Sequence, residues 1–205
     1  MSASGGRDRA DSRKLVRPAG DRGASVPGAG ALGMAWFLVS LGVLFAASIV
    51  AYAVVRGRAD SWRAPGESLP PGLWIATVLL VATTVAAHRG LAAIRRGDRR
   101  RLARVLSVAL LLACGFLAAQ VWNWIELYDS GALYGPNLYG FTFLMLTGLH
   151  ALHVVGGLVL LRFVIHRARH GAYSWAHYPG VRHCTVYWHF LDAVWLVLLA
   201  VLLVG

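Results

Sequence analysis

Five apolar stretches of roughly 20 residues dominate this chain, and that is the length a helix needs to cross a hydrocarbon core of about 30 Å. They run over about 31–55, 71–87, 102–125, 138–165 and 184–204. Hydrocarbon offers no hydrogen-bond partner to a peptide group, so such stretches have to be helical. The expected fold class is therefore all-α, a polytopic bundle of five transmembrane helices. Composition agrees: at 58% hydrophobic and 14% charged residues, the chain is too apolar for a soluble domain of its length. The second stretch is the shortest. Pro70 and Pro71 suit its first turn, where a missing N–H does no harm, and an extension past Arg89 would have to snorkel. Residues 1–30, rich in Gly, Ala, Ser and Arg without apolar periodicity, read as a disordered basic tail ahead of a membrane domain over 31–205.

Charge sets the expected orientation. The tail carries Arg7, Arg9, Arg13, Lys14, Arg17 and Arg22. Arg89, Arg95, Arg96, Arg99, Arg100, Arg101 and Arg104 surround the second loop, and Arg162, Arg167, Arg169 and Arg182 surround the fourth. Only Arg56, Arg58 and Arg63 fall on the opposite side. The positive-inside rule then puts the N-terminus in the cytoplasm and, with five spans, the C-terminus outside. The net charge of +11 reports topology and contact with anionic lipid, and nucleic acid is not an expected partner.

Ionisable groups inside hydrocarbon are costly and are usually retained for a reason. The fourth span holds His150 and His153; the fifth holds His189 and Asp192, whose spacing turns both toward one helix face. Asp192 is the only carboxylate well inside a span and needs a partner, for which His153 and His189 are both candidates. A buried polar cluster of His150, His153, His189 and Asp192 is expected, either structural or in contact with lipid or another subunit. Imidazoles also bind transition metals. However, a di-histidine haem site needs ligands on facing helices, and His189 is the only other histidine inside a span. Cys114 and Cys184 are isolated in sequence. Packed polar histidines are the better reading, with no catalytic or metal-binding residue assigned.

Small residues point to packing. Gly148, Ala151, Gly156 and Gly157 allow a neighbouring helix to approach closely, and Trp195 lies deep enough to pack inside the bundle. Tyr187 and Trp188 read as an interfacial belt. Arg162, His166, Arg167 and Arg169 follow the fourth span, where cations on snorkelling stems suit phospholipid headgroups.

At these residues the sequence resembles subunit III of the haem-copper terminal oxidases, in its shorter five-helix bacterial form. The segments NLYGFTFLMLTGLHALHVVGG (137–157) and YWHFLDAVWLVLL (187–199) carry the resemblance. Fainter similarity runs through LGMAWFLVSLGVLFAA, LPPGLWIAT and 120–124, so that it covers about 32–205. Two membrane carboxylates of many family members are replaced here, by Leu41 and by Asn123. The roles in lipid binding or proton entry attached to them have no counterpart group at these positions.

The resemblance implies an accessory subunit in a bacterial inner membrane that binds no redox centre, with haem and copper in partner subunits. It would flank catalytic subunit I, join subunit II in the complex, hold phospholipids and sustain proton uptake and turnover. A quinol oxidase subunit III and a nitric oxide reductase accessory protein share the same wider family. From another class, a proton-coupled transporter would use His150, His153, His189 and Asp192 as a relay, although the five spans show no internal repeat.

Overall fold

The computed structural model describes residues 29–59, 70–131 and 138–204. Residues 1–28 of the basic tail expected to be disordered lie outside them, as does Arg63, while Ala29 and Gly30 already belong to the first helix. Among the described residues there are five helices long and apolar enough to span a membrane: α1 (Ala29–Gly57), α2 (Gly72–Arg95), α3 (Arg99–Asp129), α4 (Tyr139–Arg169) and α5 (Pro179–Val204). Each outruns its apolar stretch, because the backbone bonds that propagate a helix form whatever the side chains are. The largest difference is in α2, which continues past His88 and Arg89 to Arg95. His88 thus lies inside a helix, and His189 is not the only helical histidine outside α4.

The link 96–98 between α2 and α3 is short and well bonded. The N–H of Gly97 reaches the Ile94 carbonyl at 2.9 Å, with Gly97 at φ +78°, a conformation that only glycine adopts without strain. Asp98 then caps α3 by accepting the backbone N–H of Arg101 at 2.8 Å. Between α4 and α5, Ser174 and His177 exchange backbone hydrogen bonds of 3.1 Å. Tyr173 folds over Gly180, where any Cβ would strike the tyrosine ring and hydroxyl. The guanidinium of Arg167 lies 5.7 Å from the same ring.

Helices α2, α3, α4 and α5 close a ring, each touching the next, while α1 lies outside it against α4 and α5. Hydrophobic burial does not drive helices together in lipid, so the contacts depend on close backbone approach and on polar pairing. Gly90 lets Leu106 of α3 sit directly on α2, and Gly157 does the same between α4 and α5: a Cβ there would come within 3.0 Å of Tyr187 and 3.2 Å of Trp188. Those two aromatics are consequently buried in the bundle and form no interfacial belt, because the groove left by Gly157 takes their rings. Gly156 is looser, at 3.7 Å from the Tyr187 hydroxyl, and a Cβ on Gly148 would meet nothing within 4 Å. Among the described residues nothing packs closely on Gly148.

Most hydroxyls in the bundle answer their own helix. Thr83, Thr147 and Thr185 donate to carbonyls one turn earlier at 2.7–2.9 Å, which removes a donor from hydrocarbon without needing a partner helix.

Candidate functional site

The apolar ring encloses polar side chains from several helices, and His150 is the most deeply placed of the ionisable ones. It is 0% exposed. Its ring lies 5.2 Å from Trp195 of α5, 5.8 Å from Phe116 of α3 and 6.1 Å from Phe45 of α1. Both ring nitrogens are enclosed without a hydrogen-bond partner among the described residues. Trp195 is buried within the bundle. It meets Phe116 edge-on at 5.2 Å and donates its indole N–H to the Thr77 hydroxyl of α2 at 2.9 Å.

A further set of buried polar groups lies on α3 and α4, and of these only Asn123 stands at a departure from the family pattern. Thr147 accepts the indole N–H of Trp124 at 3.0 Å, joining α4 to α3. Gln120 and Asn123 are fully buried, and the Asn123 amide donates to Gln120 Oε1 at 3.2 Å. Gln120 Nε2 and Asn123 Oδ1 have no partner. Gly72 at the start of α2 makes room for the Asn123 amide, which a Cβ there would overlap. The available signal was spacing: Gln120 with Asn123, and Thr147 with His150, each lie three apart and share a helix face.

The four residues expected to form one cluster are divided. His153, half-buried, faces Phe45 of α1 at 5.1 Å. Its Nδ1 is 2.7 Å from the Leu149 carbonyl, which can only accept, so Nδ1 carries the proton. The His153 carbonyl in turn accepts the Tyr187 hydroxyl at 2.9 Å. His189 is exposed on the seam between α2 and α5, its ring 5.7 Å from that of His88. Asp192 is half-buried, and its Oδ1 is enclosed without a hydrogen-bond partner. Neither His153 nor His189 bonds to it. His189 still acts on Asp192 by charge from one turn earlier on the same helix, while its ring packs against His88.

Arg162, His166, Arg167 and Arg169 are all exposed near the end of α4, but they do not act as one group. Arg167 lies over Phe163 and Tyr173, at 5.8 and 5.7 Å. The His166 ring sits 4.3 Å from His170. Arg169 turns onto α3, donating to the Ser107 hydroxyl at 3.2 Å. Burial raises the Tyr173 phenol above its ordinary value, and the Arg167 cation opposes that rise.

Metal ligation does not fit these histidines. His150 and His153 share one helix, and the rings of Phe45, Phe116 and Trp195 pack around His150 where further donors would have to stand. Among the described residues no group of three or more His, Cys, Asp or Glu converges. What the arrangement does is lock four helices together through one imidazole, two indoles and two hydroxyls.

Similarity to known proteins extends over all five helices. Residues 18–204 match the family described as Cytochrome c oxidase subunit III. Cytochrome c oxidase subunit 3 of Synechocystis sp. is 34% identical over 81% of this chain and 71% of its own length. The Thermostichus vulcanus protein of the same name is 31% identical over 83% and 85%. The probable cytochrome c oxidase subunit 3 of Nocardia farcinica is 32% identical over 77% and 79%. With five spanning helices and a match that takes in the whole helical bundle, the chain belongs to the cytochrome c oxidase subunit III family.

Proposed function

We propose that this chain is the non-catalytic subunit III of a respiratory haem-copper oxidase in a bacterial cytoplasmic membrane, flanking catalytic subunit I in a complex that includes subunit II. Haem and copper belong to those partners. The carrying observation is the setting of His150, where aromatic side chains from three other helices occupy the surroundings that a ligand set would need. The relatives' names favour cytochrome c over quinol as the electron donor of the complex. Orientation follows the arginines: Arg95, Arg96, Arg99, Arg100, Arg101, Arg169 and Arg182 are exposed at one end of the bundle, which we take as cytoplasmic, with the C-terminus outside. Phospholipid headgroups gather at that end, among Arg162, His166, Arg167 and Arg169.

Purification of the tagged chain from its native membrane tests this. It is expected to bring down a haem-bearing polypeptide with oxygen-reducing activity, and the separated chain is expected to carry no stoichiometric haem, copper or iron. Haem retained at one per chain after a detergent wash, or proton-coupled flux by the chain alone, would overturn the assignment.

A further inference from the structure

Arg99, Arg100, Arg104 and Arg169 line one cleft of about 450 Å³ between the start of α3 and the end of α4, with Ala103, Ala168 and Gly171 as its small walls. Four guanidiniums sharing a concave site repel one another unless something answers them. Among the described residues nothing does so. The adjacent carboxylate, Asp98, is held at the N-cap by the Arg101 N–H, and among the described residues none of the four arginines is in an ion pair. Arg169 is positioned by Ser107, whose hydroxyl accepts from the guanidinium at 3.2 Å and donates to the Ala103 carbonyl at 2.9 Å. Gly171, at φ +71°, ends α4 directly beside Arg99, whose guanidinium would lie 3.6 Å from a Cβ placed there.

The first turn of α3 adds to the imbalance. Asp98 answers the helix end at the N-cap, but the first turn itself holds no acidic residue and begins with Arg99, Arg100 and Arg101. An anion seated in the cleft would answer the guanidiniums. Planar guanidiniums match pairs of phosphate oxygens in fork geometry.

We infer that this cleft binds a phosphate-bearing anion of two or more negative charges, either the headgroup of a dianionic phospholipid or a free polyphosphate. The site stands on the cleft alone and does not depend on which subunits accompany the chain. It differs from the arginines that the sequence groups at the end of α4, because Arg162 and Arg167 do not line it and three arginines of α3 do.

The test uses the full chain in nanodiscs. In phosphatidylcholine discs, inorganic pyrophosphate is titrated calorimetrically; in a second set, cardiolipin replaces part of the phosphatidylcholine and retained lipid is counted by native mass spectrometry. Pyrophosphate binding identifies a soluble ligand, and cardiolipin retention without it identifies a lipid. Arg104→Gln with Arg169→Gln is expected to weaken whichever is bound by about tenfold or more. Arg95→Gln with Arg96→Gln, which removes the same charge from the same end of the bundle outside the cleft, is expected to change it less than about twofold. If the cleft pair fails to insert, Arg104→Lys with Arg169→Lys keeps the charge and loses the fork, and an intermediate affinity is expected. Equal losses in the two Gln pairs, or neither ligand bound above the phosphatidylcholine background, would overturn the site.

Discussion

Helices α1 and α5 are alike in apolarity and comparable in length, at 29 and 26 residues, yet they belong to the bundle in different ways. Across its length α1 buries only Leu41, Phe45 and Tyr52, and Arg56 at its end donates to the Val204 carbonyl at 2.9 Å. The hydroxyls of Ser40 and Ser48 turn back to α1 itself. By contrast α5 sends Tyr187, Trp188, Leu191 and Trp195 inward, receives the Thr84 hydroxyl on the Trp188 carbonyl at 3.4 Å, and gives the Trp195 indole to Thr77. In hydrocarbon, apolarity decides that a helix spans; steric fit and paired polar groups decide what it holds.

The sharpest way to break that comparison is to add one methyl group to each helix contact. Gly157→Ala places a Cβ 3.0 Å from Tyr187 and is expected to cost about 1–3 kcal/mol in unfolding from mixed micelles. Gly42→Ala meets only Phe190, at 3.9 Å, and should stay within about 0.5 kcal/mol. Equal costs would mean that α1 is held as firmly as α4 and α5 hold each other. Next in size, Trp195→Phe leaves most of the ring packing but removes the bond to Thr77, for about 1 kcal/mol. A double-mutant cycle with Thr77→Val should recover most of that loss as coupling, and full additivity would deny the pair. A smaller effect, about 0.5 kcal/mol, is expected for Arg56→Gln, with increased mobility of a spin label near the end of α1 and none near α5. The smallest concerns the α4–α5 connection, for which α1 has no equivalent. Since burial raises the Tyr173 phenol, its stabilising contribution is fully present below the ordinary tyrosine value and is lost as pH rises through the higher folded value. Tyr173→Phe should flatten that alkaline dependence in a pH series of melting temperatures.

Span number and helical class were legible because each apolar stretch has the length of a bilayer, and Gly157 and Trp195 were legible as packing residues because of their type and depth. Their neighbours were not. Tyr187 and Trp188 suit a membrane interface by chemistry and a groove by shape, and only the position of Gly157 across the contact separates the two outcomes. Gly148 has the same composition signal as Gly157 and no close neighbour among the described residues. Where lipid and protein are equally apolar, periodicity does not mark the inward face. His88 was hidden for another reason: an apolar stretch ends at the first ionisable residue, whereas α2 continues for two more turns and brings His88 to His189. The buried polar set of Gln120, Asn123 and Thr147 carried a spacing signal without an ionisable group to draw notice to it.

The tight link 96–98 bears on how the bundle answers displacement. Among the spanning cores of the five helices, that of α2 is the least apolar and has the largest buried share, so it gains least from lipid and most from its neighbours. A connection of that length leaves α2 no slack to part from α3, so with Gly90 against Leu106 the two helices answer any displacement as one helical hairpin.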